Sequence, residues 1–185
     1  DPITIEDLAG IEAEILNLCP LMNGDVTIEL ISRLAERYQI ALDVQGFIRI
    51  LDGEGVLYKD WVGKKEGLKH ITYLKTDKDE TLLLTGISDK KEAAKVLCEW
   101  GPEEVLVTDT DGVMVYDKKG DYFFFPFTPK EIVGRTGRGD TTFATYLAKR
   151  IRAGCEESLR WAAALVSRKL EQKGPFKGPL DLVRL

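Results

Sequence analysis

Three glycines fall within the six residues Gly134-Arg135-Thr136-Gly137-Arg138-Gly139, and Asp140-Thr141-Thr142 follows at once. Beyond them Phe143, Ala144, Leu147, Ala148 and Ile151 recur at helical spacing. A tight loop feeding a helix N-terminus has few places to sit in a fold. Its glycines let backbone N–H groups approach a ligand, and the helix start offers unpaired donors at the positive end of the dipole. That combination favours an anion. A carboxylate in its midst would repel one, so Asp140 reads as a proton acceptor beside an anion cradle. Phosphoryl transfer to a hydroxyl needs such a pair. Taken alone, the loop is explained equally well as a glycine turn with Asp140 as N-cap.

Two other phosphate-binding patterns fail. Gly134 to Thr141 has the spacing of a Walker A loop, but Asp140 stands where the phosphate-binding lysine belongs. A dinucleotide fingerprint lacks its last glycine after Gly139. The net charge of -5 argues against non-specific nucleic-acid binding, and Arg135 with Arg138 is too small a basic cluster to reverse it. No apolar run reaches membrane-spanning length, and no signal peptide is visible. Cys19, Cys98 and Cys155 are widely spaced and odd in number, which suggests neither a disulfide framework nor a zinc site. They read as small core residues in a reducing cytoplasm, and the lone His70 as structural. With 185 residues the chain suits one domain, 1–185.

Along the chain the apolar patterns predict parallel βαβ units followed by a hairpin and two helices. A strand is expected over Glu14 to Cys19. A helix is expected to open at Gly24-Asp25, with an apolar stripe of Ile28, Ile31, Leu34, Ala35 and Tyr38, and a second strand over Gln39 to Val44. Gly53-Glu54-Gly55 suggests a short hairpin. His70 to Lys75 is a third strand, Asp89 with Glu92 has capping-box spacing before a helix to Trp100, and Glu104 to Thr108 is the clearest buried strand. Val113 to Tyr116 and Tyr122 to Phe125 flank a Lys-Lys-Gly turn as an antiparallel hairpin. Helices are expected over Thr141–Ala153 and Glu156–Glu171. Asp43, Asp77 to Glu80, Thr108 and the glycine loop all fall where a strand ends or a helix begins, the ligand side of an open α/β sheet.

These segments, in this order, resemble the ribokinase-like (PfkB) carbohydrate and nucleoside kinase family from about Ile15 to Phe176. The resemblance rests on Gly24-Asp25 with its helix, Leu42-Asp43-Val44-Gln45-Gly46, and Asp77-x-x-Glu80 before Leu84-Thr85-Gly86. It continues in Val105 to Thr108 with Asp111-Gly112, and most specifically in Thr136 to Phe143. The family implies a three-layer α/β/α sandwich, mostly parallel, with an antiparallel hairpin. It also implies ATP with Mg²⁺ as donor and a small sugar, polyol or nucleoside as acceptor. By motif, Asp140 would be the base, and the N–H groups of Gly137, Arg138 and Gly139 the anion hole. Asp77 and Glu80 would lie near Mg²⁺ and the phosphates. Thr108, Asp111 and Gly112 would line the nucleotide site, with Ala164 on the last helix facing the adenine.

Four departures stand out. Asp77 replaces the family's usual Asn, and Asp-x-x-Glu is also plain capping spacing. Gly134 replaces an Asp that helps hold a monovalent cation. Arg138 replaces a small residue, and the turn at Asp109 to Gly112 is shorter and lacks a glycine. The family's N-terminal Gly-Gly-Asn segment and sheet lid are absent from this chain. The expectation is therefore a C-terminal catalytic portion of a longer kinase, weakly active or inactive alone, with exposed apolar surface favouring association such as a homodimer. The alternative is a non-catalytic nucleotide- or metabolite-binding regulator of the same fold.

Overall fold

The computed structural model describes residues 2–53 and 55–180. Six strands form one sheet: β1 (Ile15–Leu18), β2 (Gln39–Asp43), β5 (Tyr73–Asp77), β6 (Glu104–Thr108), β7 (Gly112–Asp117) and β8 (Tyr122–Pro126), in that spatial order. The first four run parallel, and β7 and β8 close the edge as an antiparallel hairpin. Between them come the helices α1 (Ile28–Ala35), α2 (Gln45–Ile48), α3 (Lys64–Leu68), α4 (Lys78–Thr85) and α5 (Lys90–Glu99). After the hairpin follow α6 (Arg138–Arg150) and α7 (Cys155–Leu170). A separate two-stranded ribbon, β3 (Arg49–Asp52) with β4 (Gly55–Tyr58), stands off the sheet.

The period of two in each strand splits the core between the two faces. Ile40, Leu42, Leu74, Val105, Val107 and Met114 point to one side, where Leu30, Ile31 and Leu34 of α1 and Ala94 and Leu97 of α5 cover them. Ala41, Tyr73, Leu106, Val113 and Val115 point to the other, under Phe143, Tyr146 and Leu147 of α6 and Leu159, Ala162 and Ala163 of α7. Central strands buried on both faces read as near-continuous apolar runs, which is why Glu104 to Thr108 stands out in the sequence. In β8 the outer Phe124 stays 39% exposed while Phe123 and Phe125 pack inward.

Several boundaries differ from expectation. α1 opens after Thr27, whose hydroxyl accepts the Leu30 N–H at 3.1 Å, and not at Gly24-Asp25. Asp25 caps a turn instead, accepting the N–H groups of Leu21 and Met22, both at 2.9 Å. The third strand starts at Tyr73 and ends at Asp77, and Leu82 to Leu84 lie inside α4. Gly46 sits in α2, where a Cβ would come within 2.4 Å of the Pro20 carbonyl oxygen. The ribbon expected at Gly53 to Gly55 is present, with Glu54 outside the described residues, and it exposes Leu51, Val56, Leu57 and Tyr58.

Candidate active site

The glycine loop enters α6 earlier than the sequence suggests. The expected helix over Thr141–Ala153 runs from Arg138 to Arg150. Its N-cap is Gly137, held in the left-handed region at φ 75° and offering no side chain to the first turn. A Ser, Thr or Asp at that position would spend its oxygen on the N–H groups that follow. Here the N–H groups of Gly137, Gly139 and Asp140 donate to no other described residue. The Arg138 N–H does not belong to that set, because it donates to the Arg135 carbonyl at 3.2 Å. Asp140 is therefore both the exposed carboxylate of the first turn and the owner of a free amide. The Thr141 and Thr142 hydroxyls turn back, donating to the Gly137 and Arg138 carbonyls at 2.7 and 2.8 Å.

Opposite this turn lie the carboxyl ends of the parallel strands. Sheet register sets Asp43 beside Lys75 and Asp77 beside Thr108. A cavity of about 310 Å³ opens between these ends and α6, walled by Lys75, Asp77, Thr108, Arg135, Arg138 and Asp140 among others. Lys75 and Asp43 are almost fully buried and paired at 2.9 Å. Burial works against the Lys75 charge, yet the Asp43, Glu80 and Asp77 carboxylates outweigh it and hold the pKa above the usual lysine value. Cys19, just past β1, is exposed and not the core residue expected; partial desolvation and the Asp43 and Asp140 carboxylates push it up to about 11, so it stays a thiol.

Asp77 and Glu80 form a complete capping box at the start of α4. The Asp77 Oδ1 accepts the Glu80 N–H at 2.9 Å, and the Glu80 Oε2 accepts the Asp77 N–H at 2.7 Å. Burial is the largest influence on Glu80 and raises it to about 7 against the pull of Lys75. Each carboxylate keeps one oxygen outside the box. Both line a neighbouring cavity of about 490 Å³, which shares Asp77 and Gln45 with the cavity at Asp140. No group of three or more His, Cys, Asp or Glu side chains is placed to hold a metal among the described residues. Mg²⁺ keeps several waters and is held through one or two carboxylates plus substrate phosphates, so Asp77, with Glu80 beside it, fits a hydrated ion.

Asp140, Gly137, Arg138, Gly139, Asp77 and Thr108 thus share one cavity. Four other expected residues lie outside it: Glu80 lines only the neighbouring cavity, and three lie elsewhere. Asp111 is exposed near Lys90, and its carbonyl accepts the Phe127 N–H at 2.8 Å. Gly112 opens β7, where a Cβ would meet the Phe125 carbonyl oxygen at 2.5 Å, a packing reason for glycine. Ala164 lines a groove of about 540 Å³ between α7 and the segment after β8, and no residue lines both that groove and the Asp140 cavity. Sequence reasoning missed Lys75, Arg135, Gln45 and Thr110. Lys75 carried a signal as a charge inside an apolar buried strand, while Arg135 lay in the glycine loop and Gln45 in the Leu42 to Gly46 segment.

Residues 56–179 match the family model described as pfkB family carbohydrate kinase. The cytidine kinase of Thermococcus kodakarensis is 42% identical over 71 residues, covering 37% of this chain and 26% of that protein. A pyrophosphate-dependent kinase in the ribokinase family, solved with a pyrophosphate analog and myo-inositol, superposes with a TM-score of 0.90 at 34% identity. The superposition covers 96% of this chain and 65% of that one. Arabidopsis thaliana ribokinase, solved with ribose and ATP, has the same fold at a TM-score of 0.71 and 23% identity, over 88% of this chain and 51% of its own. This chain therefore spans less than two thirds of the length of each of these relatives. With its mostly parallel sheet, its glycine-capped α6 and a match over more than half its length, the chain belongs to the pfkB family of carbohydrate kinases.

Proposed function

We propose that this chain carries the phosphoryl-transfer centre of a kinase acting on a hydroxyl of a small sugar, polyol or nucleoside. The observation that carries it is the exposed Asp140 carboxylate on the first turn of α6, flanked by the unspent N–H groups of Gly137, Gly139 and Asp140. In this reading Asp140 takes the acceptor's hydroxyl proton as that oxygen bonds to the terminal phosphorus. The bond from phosphorus to the bridging oxygen breaks, and the leaving phosphate keeps the electron pair. The amides stabilise charge on the equatorial oxygens, in a geometry that costs no reorganisation at the moment of transfer. When bound, Mg²⁺ would neutralise phosphate charge, with Asp77 and Glu80 as its protein contacts. The test is Asp140→Asn, assayed over a panel of sugars, polyols and nucleosides. Turnover is expected to fall about 10²–10⁴-fold with donor binding kept. Binding without any Asp140-dependent rate would point instead to a regulator of the same fold.

Two donors fit this centre. ATP is the family's implied donor, with its base near Ala164. Pyrophosphate is favoured by a specific feature: the walls around Asp140 supply Lys75, Arg135 and Arg138, while the groove at Ala164 is separate. The segment beside that groove is tied to α7, with the Thr128 N–H on the Ser167 hydroxyl and the Lys130 N–H on Glu171, both at 2.9 Å. The 34% identical relative is itself a pyrophosphate-dependent kinase. Product formation with pyrophosphate and with Mg·ATP, each as sole donor, decides between them.

A further inference from the structure

Lys75 lies on β5, two residues before Asp77, with its side chain 6% exposed. An ammonium has three N–H donors. One goes to the Asp43 Oδ2 at 2.9 Å, and no other acceptor takes the remaining two among the described residues. Asp43 is itself fixed, since its Oδ1 accepts the Gln45 N–H at 3.1 Å and the Val44 N–H donates to the Lys75 carbonyl at 3.1 Å. On the other side, a Cβ placed on Gly139 would lie 3.1 Å from the Lys75 Nζ and 3.2 Å from its Cε. The ammonium is thus packed directly against the first turn of α6, whose free amides carry the positive end of the helix dipole. Two positive features in contact, both short of acceptors and both facing one polar cavity, are poorly matched to each other. An anion between them satisfies both.

We propose that Lys75 is a phosphate-binding residue of this centre, holding the transferring phosphoryl group of the donor from the sheet side while the α6 amides hold it from the other. Asp43 is then a positioning residue that aims the ammonium. This rests on the phosphotransferase reading above and adds to it a side chain that the loop motif does not contain. It also gives Gly139 a second reason to be glycine: any Cβ there would press on the ammonium.

The test separates binding from ion-pair repair. Lys75→Met alone strands the Asp43 carboxylate in the interior and is expected to unfold readily. The double variant Lys75→Met with Asp43→Asn removes both charges at nearly constant volume and keeps the fold. Calorimetric titration of the whole chain with inorganic pyrophosphate, and separately with Mg·ATP, reads the effect. The double variant is expected to bind whichever probe the wild type binds about 10- to 100-fold more weakly, the range for losing a hydrogen bond to a charged group. Its melting temperature should stay near the wild-type value. Wild-type affinity in the double variant would overturn the proposal and leave Lys75 as Asp43's partner only. Asp140→Asn run in parallel is expected to keep its affinity and lose turnover. A Lys75-dependent affinity with no Asp140-dependent rate would sink the kinase reading while keeping the anion site. A wild type that binds neither probe overturns both.

Discussion

The two ends of the central sheet are polar in different ways. At the amino end of β6, Glu104 is buried and fully engaged. It accepts from Arg150 through Nε at 3.1 Å and a terminal nitrogen at 2.7 Å, and from the Tyr146 hydroxyl. Arg150 donates further to the Ala153 carbonyl at 2.8 Å, and Tyr146 also reaches the Cys155 sulfur at 3.3 Å. The two partners answer each other: the guanidinium is held above its usual pKa mainly by Glu104, and burial next to that carboxylate pushes the phenol up. At the carboxyl end, among the described residues, Lys75 keeps two donors in hand and the first turn of α6 keeps three amides. Polar groups that satisfy one another hold a structure together. Those left with unspent capacity around a cavity are suited to a ligand.

That contrast predicts a split between activity and stability. Asp140→Asn, at the unsatisfied end, should remove about 10²–10⁴-fold of turnover with little change in melting temperature. Arg150→Met, at the satisfied end, should do the reverse. It leaves the buried Glu104 carboxylate without its bidentate partner, a loss of about 3 kcal/mol, with donor affinity unchanged. Thermal unfolding and donor titration of both variants check this. A loss of turnover in Arg150→Met without loss of stability would erase the distinction.

Glu80 sharpens the comparison, because at the carboxyl end it is a buried acid whose charge the fold disfavours. Its folded pKa of about 7 lies above the ordinary 4.5, so between those values the folded state holds a proton that the unfolded chain has released. Glu80's contribution to stability is therefore complete below about pH 4.5 and is lost as pH rises through 7. Glu80→Gln keeps an oxygen for the Asp77 N–H and removes the charge. Chemical denaturation at pH 5 and pH 8 should show a flatter pH dependence in the variant, with a gain at pH 8 of at most about 3 kcal/mol. An unchanged slope would mean that the carboxylate is already ionised in the fold.

Legibility in the sequence divides along the same line. β6 and the β7–β8 hairpin are readable because burial on both faces and a Lys-Lys-Gly turn leave local patterns. The start of α6 is misplaced because Asp140-Thr141-Thr142 looks like an N-cap cluster, whereas the residue that caps is Gly137, which has no side chain to announce it. α1 errs similarly: Asp25 has a capping residue's chemistry but serves the turn before Thr27. Lys75 is visible as a misfit in its strand, but its partner is 32 residues away and only sheet register joins them. For Asp77 and Glu80 the sequence poses capping against metal binding as alternatives. The capping box engages one oxygen of each carboxylate and leaves the other without a hydrogen bond among the described residues.

The smallest expected effect is also the most discriminating. Gly137 and Gly120 both sit in the left-handed region, at φ 75° and φ 97°, one at the N-cap of α6 and one in the hairpin turn at the amino end of β6. Neither faces a close steric neighbour: a Cβ would lie 3.8 Å from the Asp140 Oδ2 in the first case and 3.8 Å from the Tyr116 hydroxyl in the second. Alanine at either position should therefore cost the same intrinsic penalty, about 1–2 kcal/mol, seen as similar drops in melting temperature. Donor affinity should fall only in Gly137→Ala. There the new methyl stands beside the Asp140 carboxylate, and relief of the backbone strain tilts the free amides away from the cavity. Equal loss of donor affinity in both variants would mean that the affected binding follows global stability, and the first turn of α6 would then have no special claim on the phosphate.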